Sequence, residues 1–345
     1  MTFIALLISR PALSLMQVPA DIIDQSLSYI NYIYLGIIFS NFYNLASGTL
    51  RALGDSKTPL YVLIFASILN VILDIVLIKF GNMGVSGAAV ATITSQAVSA
   101  ILCYNVIFAK YSDLRLGLND FKLDKRVVKH ELSVGLPMAF QFSITAIGVI
   151  AVQRALNNFG TEYIASFTAS NKIENLAMCS FIAVDTAMST YAGQNYGAGK
   201  LDRLKKGMLI GTAIELGLSV ISYVMVLTCG EAFVHLFLEN PSEEVINLTK
   251  TYLKYTGCFY PTLSLIFIHR TSLQSMGDNV YPLACGFLEL VCRVVASFIL
   301  PIKFGYMGII MSGNSAWFFA GIFITIRMIF YLRHLKNNPH KFKQI

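Results

Sequence analysis

Long apolar stretches separated by short polar ones run along almost the whole chain. Each stretch holds about 20–28 residues, enough for a helix to cross the hydrocarbon core of a bilayer at about 1.5 Å per residue. Strands of a membrane barrel would instead show about ten residues of alternating polarity, so the pattern predicts helices. The predicted spans are a short one at 3–16 and nine full ones at 27–50, 59–80, 84–109, 132–157, 163–190, 206–229, 245–272, 281–302 and 306–333.

The composition is typical of a chain surrounded by lipid. Of the 345 residues, 55% are hydrophobic and 13% are charged, and the mean hydropathy is +0.63. A soluble domain averages about 25% charged residues, and its core has no room for this much apolar surface. We therefore expect an all-α, polytopic membrane protein whose main partner is the lipid bilayer.

The chain contains an internal repeat. Residues 29–84 recur with an offset of 223 or 224 positions, and the clearest match pairs IKFGNMG at 78–84 with IKFGYMG at 302–308. Paired repeats of membrane helices are typical of transporters. The repeat predicts two pseudo-symmetric six-helix lobes.

The repeat also predicts the domain organisation. Met1 aligns with Val224, inside an apolar segment of the second copy, so the first lobe is expected to lack about two helices. The expected parts are a partial N-terminal lobe at 1–109, a cytoplasmic linker at 110–131, a six-helix C-terminal lobe at 132–333 and a cytoplasmic tail at 334–345.

Basic residues lie mainly in alternate polar segments. The net charge is +7, and Lys and Arg gather in 110–129, 200–206 and 327–343 and at Arg270, whereas the opposite loops are short and acidic. This positive-inside distribution indicates a plasma-membrane protein with a cytoplasmic C-terminus. The basic residues are not interleaved with aromatic ones, so no nucleic-acid partner is expected.

Three polar residues of the first copy are candidate ligands for a coupling cation. Asn70 and Asp74 lie four residues apart and share a helix face. Thr92 follows the turn near residue 82 at about the same distance as Asp74 precedes it, so the three are expected at one depth. Their oxygens suit Na⁺, and the carboxylate alone suits H⁺. The alternative is a buried acid held by hydrogen bonds to its neighbours.

The second copy carries further charged and polar residues inside predicted spans. Asn171, Glu174 and Asn175 lie on one helix face and must contact protein or water, so they either line a substrate cavity or pack against other helices. Gln141 is a weaker cavity candidate. Glu289 and Arg293 are spaced four apart in the order that favours a structural ion pair.

Other residues are assigned simpler roles. His269 is predicted to be solvated beside Arg270 at a helix end, and Asp185 is predicted to lie at the membrane interface. Pro261 predicts a kink in the span 245–272.

No motif indicates an enzyme. The segment GQNYGAGK at 193–200 lacks the first glycine of a phosphate loop and has Leu201 where Ser or Thr is required. No catalytic triad and no metal-ligand spacing occurs in the sequence, so we expect no cofactor and no metal beyond a possible Na⁺ at Asp74.

Taken together, the motifs resemble the multidrug and toxic compound extrusion (MATE) family. The matching segments are LRALGDSKTP at 50–59, LNVILD at 69–74, GVSGAAVAT at 84–92 and GQNYGAG at 193–199. The resemblance covers nearly the whole chain, as helices three to twelve of twelve. It implies two six-helix lobes around a central cavity and export of small organic cations by a monomer in exchange for Na⁺ or H⁺.

The resemblance also implies roles for residues. In one branch of the family, the cation site uses an Asp on helix one, the Asn and Asp of an N-x-x-x-D pattern on helix five, and a Thr on helix six. Asn70, Asp74 and Thr92 match the last three, and the first has no position in this sequence. Two alternatives stay open: a flippase for lipid-linked precursors of the same superfamily, and a non-functional truncated remnant.

Overall fold

A computed structural model describes residues 2–15, 23–114, 117 and 124–337. Within these ranges the regular structure is helical throughout, which agrees with the predicted all-α class. The helices are α1 (Thr2–Leu15), α2 (Ile23–Ala52), α3 (Lys57–Ile75), α4 (Gly84–Lys110), α5 (Lys125–Leu156), α6 (Thr161–Gly197), α7 (Leu201–Phe237), α8 (Glu243–Gly257), α9 (Tyr260–Ser275), α10 (Val280–Phe304) and α11 (Tyr306–Asn337).

The chain divides into two compact units, Met1–Lys122 and Leu123–Ile345. In the first unit, α4 packs along both α2 and α3, and α1 packs on α2. Leu50 at the end of α2 and Cys103 in α4 are fully buried in this small core. Most apolar side chains of α3 are exposed, as expected of a helix whose surroundings are lipid.

The second unit has the larger core. Helix α9 lies at its centre and packs against α6, α7 and α11, while α10 packs against α5 and α11. Phe181, Tyr260 and Ile268 are fully buried there. This core fixes the positions of polar residues on α6, α9 and α10 that a lipid environment would otherwise penalise.

Six helical segments in the described part of the chain are long and apolar enough to cross a membrane. They comprise α3 with the turn that follows it, α4, α5 with its terminal turn, α7, α10 and α11. The predicted spans 27–50 and 163–190 also form long helices, α2 and α6, but these carry more polar residues. The chain is a multi-pass membrane protein.

One predicted span is wrong because it is not a single helix. The sequence predicts a single kinked helix over 245–272, whereas the structure has two helices, α8 ending at Gly257 and α9 starting at Tyr260. Pro261 lies in the first turn of α9, where its missing N–H costs no hydrogen bond. The proline therefore starts a new helix instead of bending an old one.

Two other elements differ from the predicted boundaries. The span 59–80 does not stay α-helical to its end, because α3 passes into a π-helical turn at Val76–Phe80. Helix α5 begins at Lys125, inside the predicted linker, and is capped by the Asp124 side chain, which accepts a hydrogen bond from the Arg126 N–H at 2.7 Å.

The internal repeat is visible in the turn that ends α2. The N–H of Asp55 donates to the Leu50 carbonyl at 2.9 Å, and the N–H of Gly54 donates to the Arg51 carbonyl at 3.0 Å. These two bonds form a Schellman motif, with Gly54 at φ +87° in the position that favours glycine.

The turn that ends α9 has the same geometry. The N–H of Asp278 donates to the Leu273 carbonyl at 2.9 Å, the N–H of Gly277 donates to the Gln274 carbonyl at 3.0 Å, and Gly277 has φ +89°. The matching residues of the two copies therefore form matching turns.

The acid at the end of each turn also contacts a basic residue two helices later. Lys110 Nζ lies 2.9 Å from an Asp55 carboxylate oxygen, and Arg327 Nη2 lies 2.7 Å from an Asp278 carboxylate oxygen. Each contact joins the turn to the second helix after it, α4 in the first unit and α11 in the second.

Candidate functional site

A cavity of about 360 Å³ lies inside the second unit. Helices α5, α6, α8, α9, α10 and α11 all contribute to its wall. Its apolar lining residues include Phe167, Phe267 and Trp317, and its polar lining residues include two acids, two arginines and three asparagines. The polar lining residues are Asn171, Glu174, Asn175, Arg270, Glu289, Arg293 and Asn314, with Thr145 and Tyr252.

Glu174 is the most deeply placed acid in this wall, with 3% of its surface exposed. The Tyr252 hydroxyl donates to its Oε2 at 3.2 Å. Its other oxygen, Oε1, is buried without a hydrogen-bond partner in the described parts of the chain. Such an oxygen is open to a ligand, because a buried acceptor left unpaired costs free energy.

The structure places Asn171 and Asn175 in the same lining as Glu174. The Asn171 side-chain N–H donates to the Phe167 carbonyl at 2.9 Å, which fixes the amide against its own helix. Gln141 lies outside this lining: its side chain is buried, and its Oε1 accepts a hydrogen bond from Gln274 Nε2 at 3.0 Å.

Glu289 lies between two arginines. Arg293 Nη2 is 2.7 Å from Glu289 Oε1, and Arg270 Nη1 is 3.8 Å from Glu289 Oε2. The side chains are 8%, 11% and 15% exposed for Glu289, Arg293 and Arg270, so these charges are largely desolvated. Such charges need partners, because isolated buried ions cost several kcal/mol each.

The position predicted for Arg270 is therefore wrong. Its charge predicts a position at the cytoplasmic end of the span 245–272, whereas its side chain is only 15% exposed and lines the cavity. The sequence did not indicate that Arg270 lines the cavity, because a basic residue that follows His269 near the end of an apolar run is typical of a helix end at the membrane surface. The spacing of Glu289 and Arg293 along one helix predicted their contact. Arg270 comes from a different helix, so no spacing along the sequence indicates that it joins them.

In the first unit, Asn70 and Asp74 lie on α3 and Thr92 lies on α4. Asn70 Nδ2 and Asp74 Oδ1 are buried atoms that lack a hydrogen-bond partner among the residues described. The Thr92 hydroxyl donates to the Ala88 carbonyl of its own helix at 2.9 Å. Asn70 Nδ2 and Asp74 Oδ1 are therefore available to a ligand. The Thr92 hydroxyl already donates its proton within its helix, so it can only accept a hydrogen bond or bind a cation through its oxygen.

The predicted environment of His269 is wrong. It is 6% exposed, and its ring nitrogens lie 3.3 Å from the Thr212 hydroxyl and 3.0 Å from the Thr325 hydroxyl. Glu215, which the sequence analysis did not single out, is fully buried on α7. A lone acid inside the apolar run 206–229 is the signal that would have found it.

Metal-ligand clusters of three or more His, Cys, Asp or Glu side chains are absent from the described residues.

The MatE family model matches residues 1–76 and 137–299 of this chain. The chain belongs to the MatE family. This is the family that the sequence motifs resemble. Its members are transporters, not enzymes, and the relatives are named as multidrug resistance proteins or transporters.

Similar curated proteins support this membership. The chain is 27% identical over 82% of its length to "Probable multidrug resistance protein YpnP" of Bacillus subtilis (strain 168), covering 62% of that protein. It is 27% identical over 90% of its length to "Probable multidrug resistance protein NorM" of Thermotoga maritima, covering 68%. A "FAD transporter" of Shewanella oneidensis is 23% identical over 76% of this chain, which covers 59% of it. The MatE chain thus spans about three fifths of the length of several relatives.

Solved structures show the same fold. A MATE structure in the bent conformation has a TM-score of 0.88 at 19% identity, with 98% of this chain and 76% of that chain covered. An outward-facing multidrug resistance MATE family transporter of the MOP superfamily has a TM-score of 0.88 at 21% identity, with 97% and 76% covered. The all-α membrane fold predicted from the sequence is therefore confirmed.

Proposed function

We propose that this MatE protein is a secondary active multidrug exporter of the plasma membrane, which moves organic cations outward in exchange for Na⁺ or H⁺. The observation that carries the proposal is the pair of buried, unpartnered atoms on α3, Asn70 Nδ2 and Asp74 Oδ1, as far as the described residues go. A carboxylate inside an apolar membrane helix is costly, and transporters retain such acids to bind coupling ions.

Asp74 is the proposed coupling carboxylate. It holds H⁺ directly or binds Na⁺ through its oxygens, with the Asn70 side-chain oxygen and the Thr92 hydroxyl as further ligands. Because transport requires that the ion be bound on one side and released on the other, the free energy of ion binding must change between two conformations. No cofactor is needed for this cycle, and the ion gradient supplies the free energy.

The cavity of the second unit is the proposed substrate pocket. Phe167, Tyr252 and Trp317 provide aromatic faces that attract a positive charge, and the Glu174 carboxylate provides a counter-charge with one uncommitted oxygen. At about 360 Å³, the cavity lies at the lower end of the range for drug-sized ligands. The proposal assigns Asn171 and Asn175, which line this pocket, to orient a polar group of the substrate, and it gives no role to Gln141, which lies outside the lining.

The test uses membrane vesicles that contain the protein, a cationic fluorescent dye and an imposed Na⁺ or H⁺ gradient. We expect Asp74→Asn to reduce gradient-driven dye export by at least about tenfold while the protein still inserts, because the carboxylate supplies the charge that couples to the ion. Asp24→Asn, the same change at an exposed position in the first turn of α2, is the matched control and should export normally.

Normal export by a well-expressed Asp74→Asn protein would contradict the assignment of the coupling site. Export that runs with a Na⁺ gradient alone, or with a H⁺ gradient alone, identifies the ion. Absence of gradient-driven export from the parent protein would leave the third possibility stated for the sequence, a chain without transport activity.

A second candidate function has one specific observation in its favour. Arg270 and Arg293 both line the cavity, and Glu289 is the acid that pairs with them. Two arginines suit a phosphate or pyrophosphate group, as in the lipid-linked precursors that a flippase moves. The discriminating measurement loads the same vesicles with an anionic nucleotide or pyrophosphate probe; transport of this probe and not of the cationic dye would favour the flippase.

A further inference from the structure

A second group of buried and partly buried titratable side chains lies in the second unit, where α6, α7 and α9 pack together. Its members are Glu215 on α7, Asp185 on α6, and His269 and Arg270 on α9. Of these, only Arg270 lines the cavity described above. The group is therefore distinct from the cavity but shares one residue with it.

Glu215 is the centre of this group. Its side chain has no exposed surface, and neither Oε1 nor Oε2 has a hydrogen-bond partner within the described ranges. Thr212 lies one turn earlier on the same face of α7 and contacts His269, so Glu215 points toward α9. An ionised carboxylate in this position would be buried without compensation, which is among the costliest arrangements in a protein.

His269 does not supply the missing positive charge. Its Nδ1 is 3.0 Å from the Thr325 hydroxyl of α11, and its Nε2 is 3.3 Å from the Thr212 hydroxyl. Hydroxyls can donate to one ring nitrogen and accept from the other, so both contacts are satisfied by a neutral imidazole. A buried imidazole that is satisfied when neutral has no reason to carry a proton.

Gly211 lies one turn before Glu215 on α7 and packs against Met188 of α6 and Ile268 of α9. Because α6 and α7 are packed neighbours joined by a short turn, Asp185, about one turn before Met188, lies at the level of Glu215, and the two carboxyl groups interact electrostatically. Asp185 also interacts with the charge of Arg270 and lies beside the Thr271 side chain. Two acids that face each other in a buried site cannot both be ionised cheaply, and one of them takes up a proton. Asp185 has Arg270 nearby, so the proton belongs on Glu215.

Arg270 connects this pair of acids to the cavity. One of its guanidinium nitrogens is 3.8 Å from Glu289 Oε2, which is too long for a tight ion pair. Arg270 thus lies within electrostatic reach of Asp185 on one side and of Glu289 on the other. The charge state of the acids on α6 and α7 must therefore affect how strongly Arg270 is held at the cavity wall.

We propose that Glu215 and Asp185 form a proton-binding site of the second unit, and that its proton determines whether Arg270 is drawn toward Asp185 or toward Glu289 in the cavity. When the proton is bound, the two acids carry one negative charge and Arg270 stays with Glu289. When it leaves Glu215 for bulk water, two negative charges attract Arg270 away from the cavity. The site takes H⁺ and does not depend on any transported substrate.

The single tryptophan of the sequence is a built-in reporter for the test. Trp317 lines the cavity that Arg270 faces and is 7% exposed, so its fluorescence responds to a change of charge at the wall. The purified full chain in detergent is titrated with acid and base without any substrate. We expect one reversible fluorescence transition in the parent protein and its loss in Glu215→Gln, since Gln imitates the protonated carboxyl and cannot ionise.

Glu231→Gln is the matched control, since it makes the same change on the same helix at a side chain that is 55% exposed. It should keep the transition of the parent. Absence of the transition in the parent, or an unchanged transition in Glu215→Gln, would overturn the proposal.

Asp185→Asn tests the pairing independently. Removing the negative charge that faces Glu215 makes loss of its proton easier, so the midpoint of the transition should move to lower pH. A midpoint that stays in place or moves to higher pH would contradict the proposed pair.

Two further measurements complete the test. Glu215→Gln should match the parent in melting temperature at acidic pH and exceed it as the pH rises, because only the parent then buries a charge; an equal difference at every pH would argue against the site.

Finally, NaCl is added at a fixed pH in place of choline chloride. A fluorescence change that needs Na⁺ and disappears in Glu215→Gln would assign the site to Na⁺ and refute the proton.

Discussion

Glu289 holds two arginines in the second unit, and this triad shows how single residues set the energetics of the membrane interior. Its Oε1 is 2.7 Å from Arg293, one turn along α10, and its Oε2 is 3.8 Å from Arg270 on α9. A largely desolvated acid between two bases contributes little net stability over an apolar packing, yet removing it leaves two uncompensated charges.

We predict that Glu289→Gln lowers the stability of the protein by on the order of 3–5 kcal/mol, measured as a lower melting temperature in detergent. The double change Glu289→Gln with Arg293→Gln should recover part of this loss, and adding Arg270→Gln should recover more. Glu231→Gln, in an exposed pair with Lys250, is the control and should change the melting temperature little. If Glu289→Gln melts like the parent and only transport falls, the triad belongs to the transport mechanism.

Asp55, which corresponds to Asp278 of the second unit, is a paired acid outside the membrane helices. Hydrogen bonds from Lys110 Nζ and from the Thr58 backbone and hydroxyl, in that order of effect, lower the pKa of Asp55 to about 2 from its usual value of 3.8. A depressed pKa in the folded state means that the carboxylate stabilises the fold above about pH 4 and loses this effect as the pH falls toward 2.

The lowered pKa of Asp55 gives the second prediction. Asp55→Asn should lower the melting temperature by a few degrees at pH 7, and the difference from the parent should shrink as the pH is lowered below 4, because the parent then becomes protonated too. Melting curves across this pH range measure the effect. The same change at the exposed Asp202 should have little effect at pH 7, and a pH-independent loss in Asp55→Asn would contradict the proposed cause.

At the scale of elements, the two Schellman turns are the clearest structural copies in the molecule. Each has a glycine at a positive φ, +87° at Gly54 and +89° at Gly277, followed by an acid that contacts a basic side chain from the second helix after the turn. Arg327, which holds the second turn, also stacks on the Tyr281 ring at 3.8 Å. The backbone conformation, the hydrogen bonds and the ion pair all favour the same local structure, which is how a turn becomes well specified.

Gly277→Ala is predicted to lower the stability by about 1–2 kcal/mol, since a Cβ is strained at this φ although there is open space around it. Gly54→Ala should have a similar effect. The matched control is Gly217→Ala in the middle of α7, where a Cβ also meets open space but the backbone is helical; it should be neutral or stabilising by up to about 1 kcal/mol. Equal melting temperatures for Gly277→Ala and Gly217→Ala would exclude backbone strain as the cause.

At the scale of the whole molecule, the distribution of charge sets the orientation in the membrane. Basic residues gather in the first two turns of α7 and from the last turns of α11 to the end of the sequence. The connection from α7 into α8 is acidic, with Glu239 before α8 and Glu243 and Glu244 in its first turn. Basic segments are retained on the cytoplasmic side during insertion. We propose on this ground that the lobes at 1–109 and 132–333 are joined by a cytoplasmic linker at 110–131 and that the C-terminus is cytoplasmic.

The fourth prediction tests this orientation with two fusions. A green fluorescent reporter placed after Ile345 should fluoresce, and an alkaline phosphatase reporter at the same position should be inactive. Both results should reverse for a chain cut after Asn240, because the acidic loop is expected outside. Phosphatase activity at Ile345 would show that the charge pattern was misread.

The sequence by itself determined the class of structure and the family. Long apolar runs in lipid must form helices because the backbone has no other source of hydrogen bonds, so the predicted helices α1–α7, α10 and α11 appear near their expected positions. The motif LRALGDSKTP could be recognised since it encodes a local turn, and local turns depend on a few neighbouring residues. The spacing of Glu289 and Arg293 predicted their contact for the same reason.

Only the tertiary structure decided which distant residues meet. Arg270 contacts Glu289 from another helix, Tyr252 of α8 donates to Glu174 of α6, and His269 lies between hydroxyls of α7 and α11. Helical periodicity gives the face that each side chain occupies along its own helix, but the partner of that face depends on how the helices pack. The contacts of the buried Glu215 were also decided only by the tertiary structure. Its position in an apolar run shows that burying its charge costs free energy, and only the packing of α6, α7 and α9 shows which charged groups lie near it.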